Sequence, residues 1–527
     1  MALLAKHISP RLLYGLNKFE GVASEKSVRR YYGTIPRFIS CVIDMEARIV
    51  LRNFESFIFE APVPKNRCMW HFAIDGVASE ELFRPGLNDG CLRGICPCAV
   101  RAGLSVEPST MSDVILVQSM LDAGTVHLCS ELLVGAMIPN RRDDYGPRVV
   151  LAQGICKHVN SNFNRRIIEL VVRIWKKDLR GEKLRGPLST TQSDGASVLT
   201  LAQHVLFDKP FLTSPGSDVG AAHADADYAS GTGSSSGSGA AQADDDADTT
   251  PGAARVLTGL PLFPKYCGQG PNEGVADGRD GKHVGKRFKT RANTKTLGFA
   301  IASSFQYIRA YLRNIIEEAG LATEPELKEM FNEGGADAQN VPAMVKLIVA
   351  LHGLKSKVPS DFPSRDQTST MAVLRELRVL AEYAACFERL FLGKELTLEE
   401  HLNSLSTMAH LLLVLFRRNG TKFVPAQHYS NTQRMIRGHF WSVATAQVHE
   451  IDEYYLFLDS THPLEQMFGI IRDLHGSGTQ FDCVQFEERA SVAMSIQAIY
   501  SRHPEWHRGA RRLTGSLDHM NPRAWLL

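Results

Sequence analysis

The spacing of hydrophobic residues changes partway along this chain, and that change constrains the fold more than any other feature. The first part carries short apolar runs such as RCMWHFAID and PRVVLAQGI, which are typical of buried strands. From about residue 296 to 450 the apolar residues recur at helical spacing instead, as in MAVLRELRVLAEYAACFERLFLG. The two patterns together predict a mixed α/β layer that is split by a large helical insertion.

Within the first part, strands are predicted in RCMWHFAID, CLRGICPCAV and PRVVLAQGI. A helix follows in NFNRRIIELVVRIWKKDL, where Ile167, Ile168, Val171 and Val172 share one face. PLSTTQSDG is predicted to be another strand that runs into a turn, and ASVLTLAQHVLF another helix. This order of strands and helices favours a mixed sheet over an all-helical core.

A low-complexity segment separates the two patterns. It consists mainly of Gly, Ser, Ala and Asp and has almost nothing apolar to bury, so we expect it to be disordered. The predicted division of the chain is 1–60 as an N-terminal flanking segment, 61–212 as the first part of the α/β core, 213–254 as a disordered linker, 255–455 as the helical insertion, 456–500 as the final helices of the core and 501–527 as a C-terminal tail. In the insertion, Thr397 is predicted to cap a helix.

Total charge says little about partners, because the net charge is only +2 over 527 residues. Basic residues do cluster in DGKHVGKRFKTRANTK, where Lys286, Arg287, Lys289 and Arg291 are candidate contacts to DNA phosphates. The alternative for this cluster is a solvated basic turn. No apolar run reaches the ~20 residues that span a bilayer, so we expect no membrane partner.

The ten cysteines are scattered along the chain, which fits a reducing compartment better than a disulfide framework. Cys91, Cys96 and Cys98 lie close together in CLRGICPC, but their spacing does not match a zinc motif. We therefore expect them to be free cysteines of a buried strand.

Three acidic residues from distant segments are candidate metal ligands. Asp75 ends a predicted strand in AIDG, Asp194 lies at a strand-to-helix junction in TQSDGAS, and Glu465 begins a helix in HPLEQMFGIIRDLHG. Each residue also has a purely structural interpretation. Asp75 could be a turn aspartate, Asp194 a helix N-cap and Glu465 a solvated glutamate at a helix edge. Together the three carboxylates could hold Mg²⁺ ions, which prefer oxygen ligands and support phosphodiester chemistry in pairs.

The neighbourhood of Glu465 favours a functional role. Leu464, Phe468 and Ile471 form an apolar stripe on the predicted helix, and Glu465 lies at the border of that stripe. Gly469 follows one turn later, although glycine costs a helix about 1 kcal/mol relative to alanine. This cost predicts close approach of another helix or of a nucleic-acid backbone.

Several motifs, taken in order, resemble a known family. HFAIDGVASEELFRPGLNDGCLRGIC, VLAQGICKHV, TQSDGAS, DGKHVGKRFK, LSTMAHLLLVLF, HPLEQMFGIIRDLHG and HPEWHRGARRL occur in the same order in transposon-derived proteins of basidiomycete fungi. That group is in turn similar to P-element-type transposases, which have an RNase H-like catalytic core split by a helical insertion. The resemblance runs from about residue 65 to the end, apart from the low-complexity segment.

The resemblance implies a nuclear transposase that cuts and joins DNA. Its Asp-Asp-Glu triad corresponds to Asp75, Asp194 and Glu465, which would hold Mg²⁺ or Mn²⁺. DNA is the implied partner, and self-association of the chain is left open.

Other matched positions have a less defined role. The Asp-x-x-His-x-x-Lys segment of the family corresponds to Asp280, His283 and Lys286. His462 stands where the family usually has an aspartate, three residues before the helix glutamate. This departure keeps two alternatives open beside a transposase, which are a DNA-binding transposon remnant without catalysis and a helical interaction scaffold without a nucleic-acid role.

Overall fold

The computed structural model describes residues 27, 35–41, 46–60, 66–86, 91–97, 110–156, 160–194, 202–203, 275–302, 305–333, 340–393, 395–474 and 480–503. The predicted disordered linker 213–254, most of the predicted helix ASVLTLAQHVLF and all but the first three residues of the predicted tail 501–527 lie outside this part of the chain. Predictions for those segments are therefore left as they stand.

A mixed β-sheet lies at the centre of the first part of the chain. The strands are β1 (Met69–Ala78), β2 (Arg84–Pro85), β3 (Leu92–Arg93), β4 (Glu131–Asn140), β5 (Arg148–Ile155), β6 (Leu188–Gln192) and β7 (Ala276–Asp277). Five of them form one sheet in the order β5–β4–β1–β6–β7, while β2 and β3 pair separately. β1 is antiparallel to β4 and parallel to β6. The predicted mixed α/β class is confirmed.

Three of the four predicted strands agree with the structure, since PLSTTQSDG contains β6, and one is wrong. RCMWHFAID contributes to β1 and PRVVLAQGI forms β5, but the described part of CLRGICPCAV contains only the two-residue β3. The long partner of β1 is β4, which is absent from the predicted strands. Gly135 in β4 makes room for the Phe72 ring of β1, since a Cβ there would lie 2.6 Å from that ring.

Helices account for most of the remaining described residues. They are α1 (Ala47–Phe54), α2 (Met111–Asp122), α3 (Ser161–Arg173), α4 (Gly181–Leu184), α5 (Gly281–Ala292), α6 (Arg309–Glu318), α7 (Glu324–Met330), α8 (Val341–Gly353), α9 (Gln367–Leu392), α10 (Leu398–Asn419), α11 (Ala426–Val448), α12 (His462–Leu474) and α13 (Cys483–Arg502). Short π-helical turns, Glu55–Phe59 and Ile174–Asp178, extend α1 and α3, and 3₁₀ turns lie at Leu354–Ser356, Pro359–Asp361, Gly420–Lys422 and Leu456–Leu458. No helix of the described residues is long and apolar enough to cross a bilayer.

Helices cover both faces of the sheet. On one face α1 and α3 pack around the fully buried Trp175, whose ring centroid lies 5.2 Å from that of Trp70 on β1. On the other face α12 and α13 bury Leu464, Phe468 and their neighbours against β1, β4 and β5. The side chains of the apolar stripe predicted for α12 therefore pack this helix against the sheet.

Residues before β1 also belong to this core. Phe38 is fully buried, and its ring packs edge-on against Phe486 of α13 at 5.9 Å. Cys41 forms a parallel bridge to Gln153 of β5. Phe38 and Cys41 thus belong to the core around the sheet, although the predicted flanking segment extends to residue 60.

The helical part between β7 and α12 has its own hydrophobic core, built by α5 to α11. Phe288 of α5 stacks on Phe387 of α9, with 5.3 Å between ring centroids. A small antiparallel pair, β8 (Phe299–Ala300) and β9 (Gln306–Tyr307), interrupts the helices, so this part is not entirely helical. The predicted cap is confirmed, because Thr397 Oγ1 accepts a hydrogen bond from the amide of Glu400 in the first turn of α10.

Candidate functional site

Asp280 joins the helices that carry the candidate residues. It caps the N-terminus of α5, where its Oδ1 accepts a hydrogen bond of 2.7 Å from the Lys282 amide. Its Oδ2 accepts from the amide and the hydroxyl of Thr461, the residue before α12, at 3.0 and 2.7 Å. One buried carboxylate therefore fixes the starts of α5 and α12 beside each other. Burial raises the pKa of Asp280, but the charges of His283 and Lys282 outweigh it and lower that pKa.

Glu465 lies in the first turn of α12, where it is surrounded by basic groups. His283 Nε2 lies 2.9 Å from its Oε1, and the ammonium of Lys282 pairs with its Oε2. His462 Nδ1 lies 3.8 Å from the same Oε2. Burial alone would raise the pKa of Glu465, but the hydrogen bond with His283 and the charges of Lys282 and His462 hold it well below its usual range. The charged carboxylate form of Glu465 is therefore favoured.

The charge of His283 depends on the two carboxylates beside it. Burial lowers the pKa of this imidazole, whereas its hydrogen bond to Glu465 and the charge of Asp280 raise it, and the net shift is upward. Glu465 and Asp280 thus favour the protonated form of His283.

One compact group of potential metal ligands occurs among the described residues. It consists of Asp280, His283 and Glu465, whose ligand atoms all lie within 4.8 Å of one another. Neither Asp75 nor Asp194 belongs to it. Carboxylate and imidazole donors suit Mn²⁺, and the carboxylates suit Mg²⁺. However, three hydrogen bonds occupy the Asp280 carboxylate and an ammonium faces Glu465, so an ion at Glu465 has to displace Lys282.

Asp75 lies within β1, whereas the sequence predicted that it would end the strand. The strand continues to Ala78, because residues up to that point pair with β4. Burial and, after it, the charges of Asp194 and Glu465 together raise the pKa of Asp75 to about 7. The charge of His283 acts in the opposite direction. Asp75 therefore shares one electrostatic environment with both other predicted acids.

Asp194 follows β6, the parallel neighbour of β1, by two residues. The amide of Asp280 donates a hydrogen bond of 3.3 Å to the carbonyl of Ser193, which places this segment beside the start of α5. The charge of Asp194 raises the pKa of Asp75 and also acts to raise the pKa of Arg287. The structure thus brings Asp75, Asp194 and Glu465 into one region without making them a ligand group at bonding spacing.

The four basic residues predicted to contact DNA separate into two pairs. Lys286 and Arg287 are partly exposed on α5, and the charge of Asp194 acts on Arg287. Lys289 is buried, and the buried Arg291 guanidinium donates to the carbonyls of Thr421, Lys422 and Phe423. We therefore withdraw Lys289 and Arg291 from the set of DNA contacts, since their charged groups face the protein interior.

The space beside Gly469 also differs from the prediction. A Cβ at this position would meet no described atom within 4 Å. The prediction that another helix approaches Gly469 is therefore wrong for the described part of the chain. The prediction that a nucleic-acid backbone approaches it is not tested. The position of Glu465 at the border of the stripe is explained by Lys282 and His283, which reach it from α5.

Asp459 is a buried acid that the sequence did not single out. Its carboxylate accepts hydrogen bonds from Thr190 and Gln192 of β6 at 2.7 and 2.6 Å, and from Ser442 and Tyr454 at 3.1 and 2.9 Å. This residue ties β6 and α11 to the segment that leads into α12. The signal in the sequence is an acid in FLDSTHPLEQ, six residues before Glu465, but only the fold shows what surrounds it.

Two further buried groups flank that carboxylate. The Nδ1 atoms of His71 on β1 and His439 on α11 each lie 3.9 Å from an oxygen of Asp459. Burial raises the pKa of Asp459, but the two imidazoles and its hydroxyl donors together lower it. The ionised form of Asp459 is therefore favoured, and its hydrogen bonds hold β6, α11 and the segment before α12 together.

The pKa of Asp75 predicts a pH effect on stability. From about pH 5 to 7 the folded chain keeps a proton on Asp75 that the unfolded chain has already released, so rising pH favours unfolding. Relative to Asp75→Asn, the metal-free wild type should lose about 1.4 kcal/mol of unfolding free energy per pH unit over this range. Urea denaturation of both proteins in the presence of a chelator measures this slope. Parallel pH profiles would show that Asp75 titrates normally.

Comparisons with known proteins give one structural similarity. No protein-family profile matches the sequence, and no curated protein matches it either. The fold is similar to that in the Drosophila P element transposase strand transfer complex, with a TM-score of 0.49 and 11% sequence identity. The similarity covers 96% of this chain and 92% of that chain. At this level it does not assign the chain to a family.

Proposed function

We propose that this chain is a transposase-type enzyme that cleaves and joins DNA phosphodiester bonds with Mg²⁺ or Mn²⁺. The observation that supports the proposal is the electrostatic interaction of Asp75 on β1 with Asp194 after β6 and with Glu465 on α12. These carboxylates come from distant segments, and both others act on the charge of Asp75. Mutual repulsion of this kind favours the binding of a proton or a cation, and clustered perturbed groups often mark functional sites.

The architecture is compatible with the RNase H-like core that the motif resemblance implies. A mixed sheet carries Asp75 on its central strand and is covered on both faces by helices. A largely helical segment separates β7 from α12 along the chain. The last acid thus reaches the sheet only after the chain returns from that segment.

Each residue then has a role in the proposed reaction. Asp75, Asp194 and Glu465 would hold the divalent ions, which when bound activate the attacking hydroxyl and stabilise the leaving oxygen. Lys286 and Arg287 would bind DNA phosphates. Because that binding releases counterions, its affinity should fall as the salt concentration rises. Asp280 and Asp459 would keep α5 and α12 in position.

The ion pair between Lys282 and Glu465 favours a second candidate, which is a DNA-binding protein without catalysis. An ammonium beside Glu465 already neutralises the charge that a metal would bind. If the pair persists when metal is present, the basic face of α5 binds DNA but no cleavage follows. The scaffold alternative has no such observation in its favour.

Replacing Lys282 by methionine should raise the affinity for Mn²⁺ about tenfold, because it removes a cation that competes for Glu465. Methionine keeps the length of the apolar stem, so packing changes little. Titration of Mn²⁺ by electron paramagnetic resonance measures the free ion directly. Lys295→Met, on an exposed residue after α5, is the matched control. Unchanged or weaker affinity in Lys282→Met would show that the ammonium does not compete with metal.

DNA cleavage assays decide between the two candidates. The full chain is incubated with DNA that carries the ends of the genomic element encoding it, with Mg²⁺, with Mn²⁺ or with a chelator. The proposed function predicts metal-dependent strand cuts and joined products. Salt-sensitive binding without cuts would establish the second candidate, and absence of binding at low salt would leave the scaffold alternative.

Three further predictions belong to this proposal and await their own measurements. They are the nuclear location, the self-association of the chain and the segment boundaries 1–60, 61–212, 213–254, 255–455, 456–500 and 501–527. Light scattering of the purified chain with and without DNA measures the association state.

A further inference from the structure

Lys282 lies in the first turn of α5, and its ammonium meets the start of α12. It pairs with Glu465 Oε2 and lies 3.4 Å from His462 Nδ1. The side chain of Lys282 is 16% exposed and that of Glu465 is 29% exposed, so neither partner is sealed from solvent. Ion pairs that solvent reaches contribute little to stability, so another ion can replace either partner.

The ammonium needs an anion at this position. A cation in the first turn of a helix faces the positive end of the helix dipole, which is unfavourable. Glu465 supplies the required negative charge directly, and Asp280 adds to it. If another cation takes Glu465, Lys282 therefore requires a second anionic partner.

A divalent ion at Glu465 creates this situation. Both carboxylate oxygens are occupied, Oε1 by His283 at 2.9 Å and Oε2 by Lys282, so a metal has to displace one of the two. Lys282 has the longer and more flexible side chain, and its positive charge repels a divalent ion at the same oxygen. We therefore expect Lys282 to be the group that moves.

Basic side chains continue from this ion pair along α5. Lys286 follows Lys282 by four residues and Arg287 follows His283 by four, so the members of each pair are neighbours on one side of the helix. Lys286 and Arg287 are both partly exposed. A DNA strand whose phosphates reach Lys286 therefore passes one helical turn from Lys282.

The described residues also leave space beside Glu465 on α12. Gly469 lies one turn after Glu465 on the same side of the helix. A Cβ at Gly469 would meet no described atom within 4 Å. A phosphate that approaches Lys282 from this side thus meets no side chain at Gly469.

We propose that Lys282 exchanges anionic partners. Without DNA it neutralises Glu465, and when DNA binds it pairs with a backbone phosphate and leaves Glu465 to the divalent ion. The exchange rests on the proposed function, because it concerns the same carboxylate, DNA and metal. It makes DNA binding and metal binding cooperative, and by thermodynamic linkage each strengthens the other by the same factor.

Binding of DNA to the full chain, with and without Mn²⁺, tests the exchange. The probe is a short fluorescent duplex that lacks the ends of the genomic element, and its anisotropy at constant ionic strength gives the affinity. Mn²⁺ should strengthen DNA binding by wild type at least about fivefold more than binding by Lys282→Met, which is the lower end of typical coupling between sites. Comparing variants cancels the effect of Mn²⁺ that binds to the DNA itself.

Further variants show whether the charge of Lys282 is responsible. Lys295→Met, at an exposed lysine after α5, is the matched control and should keep the wild-type gain. Lys282→Arg retains a cation and should keep the gain as well, whereas Lys282→Gln should lose it as Lys282→Met does. An equal Mn²⁺-dependent gain in wild type, Lys282→Met and Lys282→Gln would overturn the proposal.

A second comparison needs no metal. Glu465→Gln removes the anion that holds Lys282, so it should strengthen metal-free DNA binding about fivefold more in the wild-type background than in Lys282→Met. Asp473→Asn, at an exposed acid of α12, corrects for the loss of one negative charge. Equal gains in the two backgrounds would contradict the exchange.

These binding measurements do not depend on strand cleavage. Cooperative binding that requires Lys282, without any cuts, would support the exchange and count against the proposed function. Metal-dependent cuts by wild type, with equal cooperativity in Lys282→Met, would overturn the exchange and leave the proposed function intact.

Discussion

Replacing Asp75 by asparagine is expected to reduce metal-dependent DNA cleavage by more than about 100-fold, because changes even to residues behind a metal ligand cost 10–100-fold. DNA binding should change little, since Lys286 and Arg287 are untouched. The fold should also tolerate the change. Asparagine resembles the protonated carboxyl group that burial favours at this position. Cleavage rates at saturating DNA, with binding measured on the same preparations, separate the two effects.

The matched control is Asp473→Asn, at an exposed acid in the last turn of α12. It removes the same charge from a solvated position and should leave cleavage unchanged. Equal cleavage by wild type and Asp75→Asn would remove Asp75 from the site. A loss of DNA binding that parallels the loss of cleavage would instead indicate a structural role.

Replacing Asp459 by alanine is expected to lower the free energy of unfolding by about 3–5 kcal/mol, as is typical when one partner of a buried charged network is removed. The change would leave four hydrogen-bond donors from β6, α11 and Tyr454 without their acceptor. It would also leave His71 and His439 buried without the carboxylate beside them. Urea denaturation followed by circular dichroism measures the loss.

Asp473→Ala serves as the control for this experiment and should stay within about 0.5 kcal/mol of wild type, as exposed substitutions do. A loss below about 1 kcal/mol in Asp459→Ala would mean that water or rearranged donors replace the carboxylate. In that case Asp459 could not be what positions α12.

Much of the fold could be predicted from local pattern, and the failures have physical causes. β1 and β5 are apolar runs with polar residues at their ends, which is a clear strand signal. β4 is buried on both faces and includes Gly135 and Pro139, so it shows neither alternation nor high strand propensity. CLRGIC is apolar for another reason, because Cys91, Leu92 and Ile95 fill a small satellite core.

The surroundings of the candidate acids could not be predicted from the sequence. Acids are depleted within strands, which is why Asp75 was placed at a strand end, although β1 runs three residues further. Lys282 and His283 meet Glu465 only because Asp280 brings two helix starts together. No spacing along the chain encodes that contact. The burial of Lys289 and Arg291 likewise depends on tertiary packing.

The cysteines illustrate the same limit. Sequence spacing predicted isolated, free thiols, and every described cysteine is indeed free of disulfide bonds. Cys129 and Cys483, which are more than 300 residues apart along the chain, nevertheless meet beside Gly154. Only the fold reveals such a group.

Anomalous scattering from crystals soaked in Mn²⁺ is the most direct measurement of the central claim. We expect a manganese peak at bonding distance from the carboxylate of Asp75 and from that of Asp194 or Glu465, with the Lys282 ammonium moved away from Glu465. Manganese found only at other carboxylates, with Lys282 still paired to Glu465, would contradict the account.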